Sequence, residues 1–238
     1  MSRAYYVSAA ALSTALVAVL TLAVQVYIPE TRGYFNFGEL GVYAVALLFG
    51  SRIGAVAGGV GSALADLLTG YSYYAPGTLA IKGLEGFVVG YLYEKLSESA
   101  RWRSALVCAI PAAVFALLSY VGYVYYSGGQ EWTLGMALTA TLAAPGIAWI
   151  LLALGLASLF VYLSAKRPAY AAMVLASALG GCEMVLGYFL YEYLALGFGS
   201  AALVEVPFNV GQVLVGIAGS APLVAALERV LGRARTRL

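Results

Sequence analysis

Residues 39–66 read ELGVYAVALLFGSRIGAVAGGVGSALAD, and the way this stretch is divided decides the fold. Glu39 and Asp66 close its ends, and Arg52 is the only charge between them. As a single helix it is about 42 Å long at 1.5 Å per residue and holds an arginine at mid-membrane. As two helices meeting at Gly50, Ser51 and Arg52, it puts the guanidinium at a turn. Working outward, 4–28, 104–126 and 132–165 run 25, 23 and 34 residues without a charge. A bilayer core of about 30 Å needs roughly 20 apolar residues to cross. The chain of 238 residues is 63% hydrophobic and 10% charged, where a soluble domain carries about 25% charged residues. Mean hydropathy is +0.89. Lipid must cover such a surface, and the sequence predicts an all-α polytopic membrane helix bundle with no soluble domain.

The basic residues choose between the two divisions. With two short helices and a cytoplasmic N-terminus, eight transmembrane helices result, near 4–28, 37–50, 52–69, 78–95, 104–127, 132–165, 169–196 and 204–231. The cytoplasmic side then holds Arg3, Arg52, Lys95, Arg101, Arg103, Lys166, Arg167, Arg229, Arg233, Arg235 and Arg237, 11 of the 13 basic residues, as the positive-inside rule requires. Merging the two short helices buries Arg52 and sends Lys95, Arg101 and Arg103 outside. The expectation is a multi-pass protein of the cell membrane with both termini cytoplasmic. Its first apolar segment reads as a span, being too long for a cleaved signal. The 34-residue segment is expected to kink at Pro145 and Gly146.

Several chemistries are excluded. There is no histidine, so a zinc site or a Ser-His-Asp triad cannot be assembled. Cys108 and Cys182 lie in apolar stretches and read as small hydrophobes. No GxxxxGK[ST] phosphate loop occurs, so an ATP-driven function must borrow its ATPase. No cofactor or metal is expected, and nucleic acid is not an expected partner.

The informative residues are the polar ones inside spans, which usually face a cavity or a partner. By helix rise, Asp66 lies about 21 Å from the inner surface. Lys82 and Glu85 are three apart and share a helix face. Asn36 and Glu39 flank the outer start of the second helix. Glu205, Asn209 and Gln212 follow at i, i+4 and i+7 on the outer start of the last, and Glu192 ends the helix before it. Polar groups from five helices thus gather at one depth. For Glu39, Glu192 and Glu205, snorkelling to water from a helix end is an alternative reading, and Lys82 could simply neutralise Glu85 or Asp66. Tyr34, Phe35, Phe37, Tyr71, Tyr73 and Tyr74 crowd the same side, either as an interfacial belt or, for 71–76, as a lid over a planar ligand. Gly54, Gly58 and Ser62 form a small-residue stripe suited to helix packing, and Ala11 and Ala15 form another.

The stretches PETRGYFNFGE (29–39), LLFG (47–50), GGVGSALADLL (58–68), YAPGT (74–78), IKGLEG (81–86), GYFLYE (187–192) and VPFNVGQ (206–212) resemble the substrate-binding S components of energy-coupling factor (ECF) vitamin transporters. The likeness is to the riboflavin and hydroxymethylpyrimidine branch. It implies a single membrane domain with a six-helix core, 1–97 and 169–238, and a two-helix insertion at 98–168. It also implies capture of a small water-soluble vitamin or precursor from outside, with a transmembrane coupling protein and two ATPase subunits as partners. Asn36, Glu39, Asp66, Tyr74, Lys82, Glu85, Glu192, Asn209 and Gln212 are then the substrate-binding set, and Ala11 and Ala15 the docking surface. No enzymatic activity is implied. The competing reading is an ion- or proton-coupled secondary transporter using Asp66 and Glu85 as relays.

Overall fold

The computed structural model describes residues 3–98, 128–134, 138–144 and 166–231, with scattered positions between 147 and 162. Two compact units are present, Met1–Glu98 with Ala172–Leu238, and Ser99–Ala171.

The first unit begins with α1, Arg3–Ala23, which buries Ser13, Val17 and Thr21 and leaves the rest of its circumference outward. The chain then turns extended. Gln25-Val26-Tyr27-Ile28 is β-branched and aromatic, and Pro29 forces its predecessor out of the helical region. The result is an antiparallel hairpin of β1, Gln25–Ile28, and β2, Gly33–Asn36, with Gln25 opposite Asn36 and Ile28 opposite Gly33. Arg32 closes the turn at φ 55°. The expected first span of 4–28 is therefore shortened at its outer end.

Next come α2, Gly38–Phe49, and α3, Ser51–Thr69, broken at Gly50. Gly50 has φ 84°, a left-handed conformation costly for a side chain. The 39–66 stretch is thus two helices, with Arg52 in the first turn of the second. At 12 residues α2 rises only about 18 Å. Next, α4, Ala75–Glu98, packs on α3 through a glycine seam. A methyl group at Gly58 would meet the Lys82 carbonyl at 2.5 Å, one at Gly59 the Leu79 carbonyl at 2.6 Å, and one at Gly86 the Gly54 carbonyl. The small-residue stripe is a packing device at Gly54 and Gly58, and it brings α4 backbone against α3 backbone.

After the second unit, α5, Pro168–Leu190, ends in a π turn, Tyr191–Ala195, and α6 runs Ala202–Leu231 through Pro207 and Pro222. Among the described residues, Arg3–Ala23, Pro168–Ala195 and Gly199–Val230 are long and apolar enough to cross a membrane. Leu12, Leu16, Leu64, Leu68, Leu84, Leu186 and Leu214 point outward. An apolar exterior around buried charges marks a helical membrane protein.

The all-α expectation needs correction in two places. One is the β1–β2 hairpin. The other lies in the second unit, where β3, Gly128–Leu134, pairs antiparallel with β4, Leu138–Ala144, Trp132 opposite Ala140. A helix had been expected from Trp132. Gly128 and Gly129 oppose helix there, and Thr133, Thr139 and Thr141 favour strand. The span expected at 104–127, Cys108 and the kink at Pro145 and Gly146 lie outside the described residues.

Candidate functional site

All nine residues expected to bind substrate are buried in the first unit. Glu39 from the first turn of α2 and Lys82 and Glu85 from α4 form one ion network. Lys82 Nζ donates to Glu39 Oε1 and, at 3.1 Å, to Glu85 Oε2. Tyr43 donates to Glu85 Oε1 at 2.8 Å. The ammonium lies 5.6 Å from the centre of the Tyr188 ring. A lysine at this depth is tolerable because two carboxylates face it.

Asp66, near the end of α3, accepts from the Tyr34 hydroxyl at 2.5 Å. The Thr78 hydroxyl sits beside the same carboxylate and itself accepts from Tyr188 at 3.0 Å. On α6, Gln212 Nε2 donates to Asn209 Oδ1 at 2.8 Å, while its Oε1 accepts from the Asn36 backbone at 3.0 Å. Asn36 Oδ1 in turn accepts from the Gly38 amide at 2.7 Å, starting α2. This chain of amides fixes the hairpin against α6.

Tyr74 closes the mouth. Its hydroxyl stands 3.1 Å from the Thr31 carbonyl, 3.2 Å from Glu192 Oε1 and 3.5 Å from Glu205 Oε2. Its neighbour Tyr73 donates to the Arg32 carbonyl at 2.8 Å, and Tyr191 donates to the Tyr73 carbonyl at 2.7 Å. The loop 71–74 is therefore strapped to the β1–β2 turn and to the π turn. Burial, with the Asp66 charge, pushes the Tyr34 phenol well above its ordinary pKa. Burial, with Glu205 and Glu192, does the same for Tyr74. Both therefore stay hydrogen-bond donors at physiological pH.

Asn36, Asp66, Tyr74, Lys82, Asn209 and Gln212 line a cavity of about 30 Å³. Glu39 and Glu85 stand behind Lys82, and Glu192 behind Tyr74. A liquid water occupies about 30 Å³ and ligand pockets run about 300–1,000 Å³, so a vitamin ring enters only if a wall moves. The mouth loop, held by hydroxyl contacts rather than by backbone packing, is the wall best suited to move. A larger cavity of about 490 Å³ opens beside the α2–α3 turn, with Arg3, Arg52 and Glu94 on an otherwise mostly apolar wall. The dense polar chemistry is in the smaller one.

Sequence reasoning did not select Tyr34, Tyr43, Thr78 or Tyr188 for the site. Tyrosine is frequent in this chain, 19 in all, so none stood out. Glu205, noted only for its helical spacing, faces the cavity. Glu183, half-buried on α5, has an Oε2 with no hydrogen-bond partner, and a charge in mid-helix was its available signal. Ala11 and Ala15 are on the exposed side of α1. Among the described residues no cluster of three or more histidine, cysteine, aspartate or glutamate side chains could hold a metal.

The chain has recognisable relatives. A family model described as "ECF-type riboflavin transporter, S component" matches residues 2–144. An uncharacterized protein of Pyrococcus woesei is 42% identical over 115 residues, 48% of this chain and 75% of the relative. The thiamine precursor transporter HmpT of Lactococcus lactis is 31% identical over 129 residues, 54% of this chain and 69% of that protein. With the family matched over more than half its length, this chain belongs to the S components of ECF-type riboflavin transporters.

Proposed function

We propose that this chain captures a planar, water-soluble vitamin or vitamin precursor in the cavity between α2, α3, α4 and α6. It then passes the ligand inward in complex with a transmembrane coupling protein and two ATPase subunits. The observation that carries this reading is the burial of five carboxylates, one lysine and two amides inside a bundle whose exterior is apolar. Such groups are expensive in a membrane and mark substrate paths. Asn36, Glu39, Asp66, Lys82, Glu85, Asn209 and Gln212 form the polar bed, Tyr74 and Glu192 the mouth. The likeness to HmpT, a thiamine precursor transporter, supports a heteroaromatic ligand.

The topology that goes with it has both termini cytoplasmic and the 71–74 loop outside. Residues 98–168 form an insertion into a six-helix core, giving eight spans. The outward Ala11 and Ala15 let α1 approach a partner helix closely.

Reconstitution tests the division of labour. Liposomes holding this chain alone should bind vitamin without accumulating it, and adding the coupling protein and ATPases with ATP should give accumulation. Concentrative uptake by the chain alone under an ion gradient would establish the secondary-transporter reading instead.

A further inference from the structure

The hydrogen-bonding balance of the cavity is one-sided. Lys82 is the only cation in the cluster, and both its carboxylate partners, Glu39 and Glu85, lie behind it. The remaining acids are short of donors. Asp66 receives Tyr34 on Oδ1, while its Oδ2 is buried with no hydrogen-bond partner. Ser62 Oγ, on the same cavity wall, is also buried and without a partner. At the mouth, the single Tyr74 proton faces three acceptors, and Glu192 Oε2, fully buried, has no partner at all. Glu192 and Glu205 lie within hydrogen-bonding reach of each other, a contact two carboxylates keep only by sharing a proton.

A ligand that completes this site must bring donors and positive charge. We propose that the cavity selects a cationic or protonatable, donor-bearing heterocycle of the aminopyrimidine type, with Asp66 and the Glu192–Glu205 pair as the specificity-determining residues, over donor-poor or anionic vitamins. This rests on the vitamin-capture reading above and narrows its substrate class. The chemistry fits in two ways. A protonated ring nitrogen beside an exocyclic amino group presents two parallel N–H donors, the bidentate partner of a carboxylate. A carboxylate has about four lone-pair sites, so Asp66 can take this edge while keeping Tyr34. At the mouth, a cationic ligand replaces the proton shared by Glu192 and Glu205. An anionic vitamin meets three carboxylates with no free cation opposite it.

The test is a titration of the purified full chain in detergent with four probes. These are a hydroxymethyl aminopyrimidine, the same ring with hydrogen in place of the amino group, riboflavin, and biotin as an anion. The aminopyrimidine should bind at least tenfold tighter than each of the others. Asp66→Asn and Glu205→Gln should each weaken it at least tenfold. The ligand-side comparison needs no variant, so it decides the matter even if a substitution impairs folding. Riboflavin or biotin binding as tightly as the aminopyrimidine, or no loss on removing the amino group, overturns the donor-selection proposal and leaves vitamin capture standing. Folded protein that binds none of the four overturns both.

Discussion

Lys82 holds the site together, because two buried carboxylates depend on one ammonium. Breaking a buried pair from one side leaves an uncompensated charge at a cost of about 3–5 kcal/mol. Lys82→Ala should therefore lower the unfolding midpoint in detergent sharply, and combining it with Glu39→Gln and Glu85→Gln should restore much of the loss. A thermal melt of each variant checks this, and equal melts for single and triple variants would show that the network is not the support described. At this scale the sequence was most legible for charges. Asp66, Lys82 and Glu85 stand alone in apolar surroundings, and the cost of burying them announces a partner. It was least legible for hydroxyls. Tyr34 on Asp66 and Tyr188 on Thr78 depend on hairpin and helix geometry that no spacing rule encodes, in a chain where tyrosine is common.

Among elements, the α3–α4 seam determines how close Asp66 and Lys82 come. Gly86→Val would drive side-chain atoms into the Gly54 carbonyl, and overpacking of this kind costs about 1–3 kcal/mol. Loss of ligand affinity along with stability is the expected outcome, since the site residues ride on these two helices. Normal affinity in Gly86→Val would show that the seam does not position them. The stripe on α1 has a different role. Ala11→Trp and Ala15→Trp should abolish transport by the assembled complex while ligand affinity stays near normal. Lost binding with intact complex formation, seen by affinity pull-down, would reverse that assignment. Helix positions were readable because apolar runs and lone charges set them, and the break at Gly50 followed from Arg52. The two hairpins were missed for a shared reason. Gln25–Ile28 and Gly128–Leu134 are apolar enough to extend a span, so hydropathy alone masks their β-branched and aromatic composition and the neighbouring Pro29, Gly128 and Gly129.

The whole molecule is inverted relative to a soluble protein, with leucine outside and charge within. That follows from its solvent, and composition alone reveals it. Side-specific topology follows from the basic residues: Arg52→Cys, in a background with Cys108 and Cys182 replaced by serine, should react with an impermeant thiol reagent only when the cytoplasmic face is open. Labelling from outside would invert the arrangement. The central claim, that the buried polar cavity is where a vitamin binds, is tested most directly by calorimetry on the purified chain. Against its tightest-binding vitamin or precursor, the wild type should show one site per chain. Asn209→Ala and Glu85→Gln should each weaken binding by about tenfold or more, since a buried hydrogen-bonding group left unpaired costs about 1–3 kcal/mol and 1.4 kcal/mol is a factor of ten. Unchanged affinity in both variants, each folded as judged by its melt, would contradict the account.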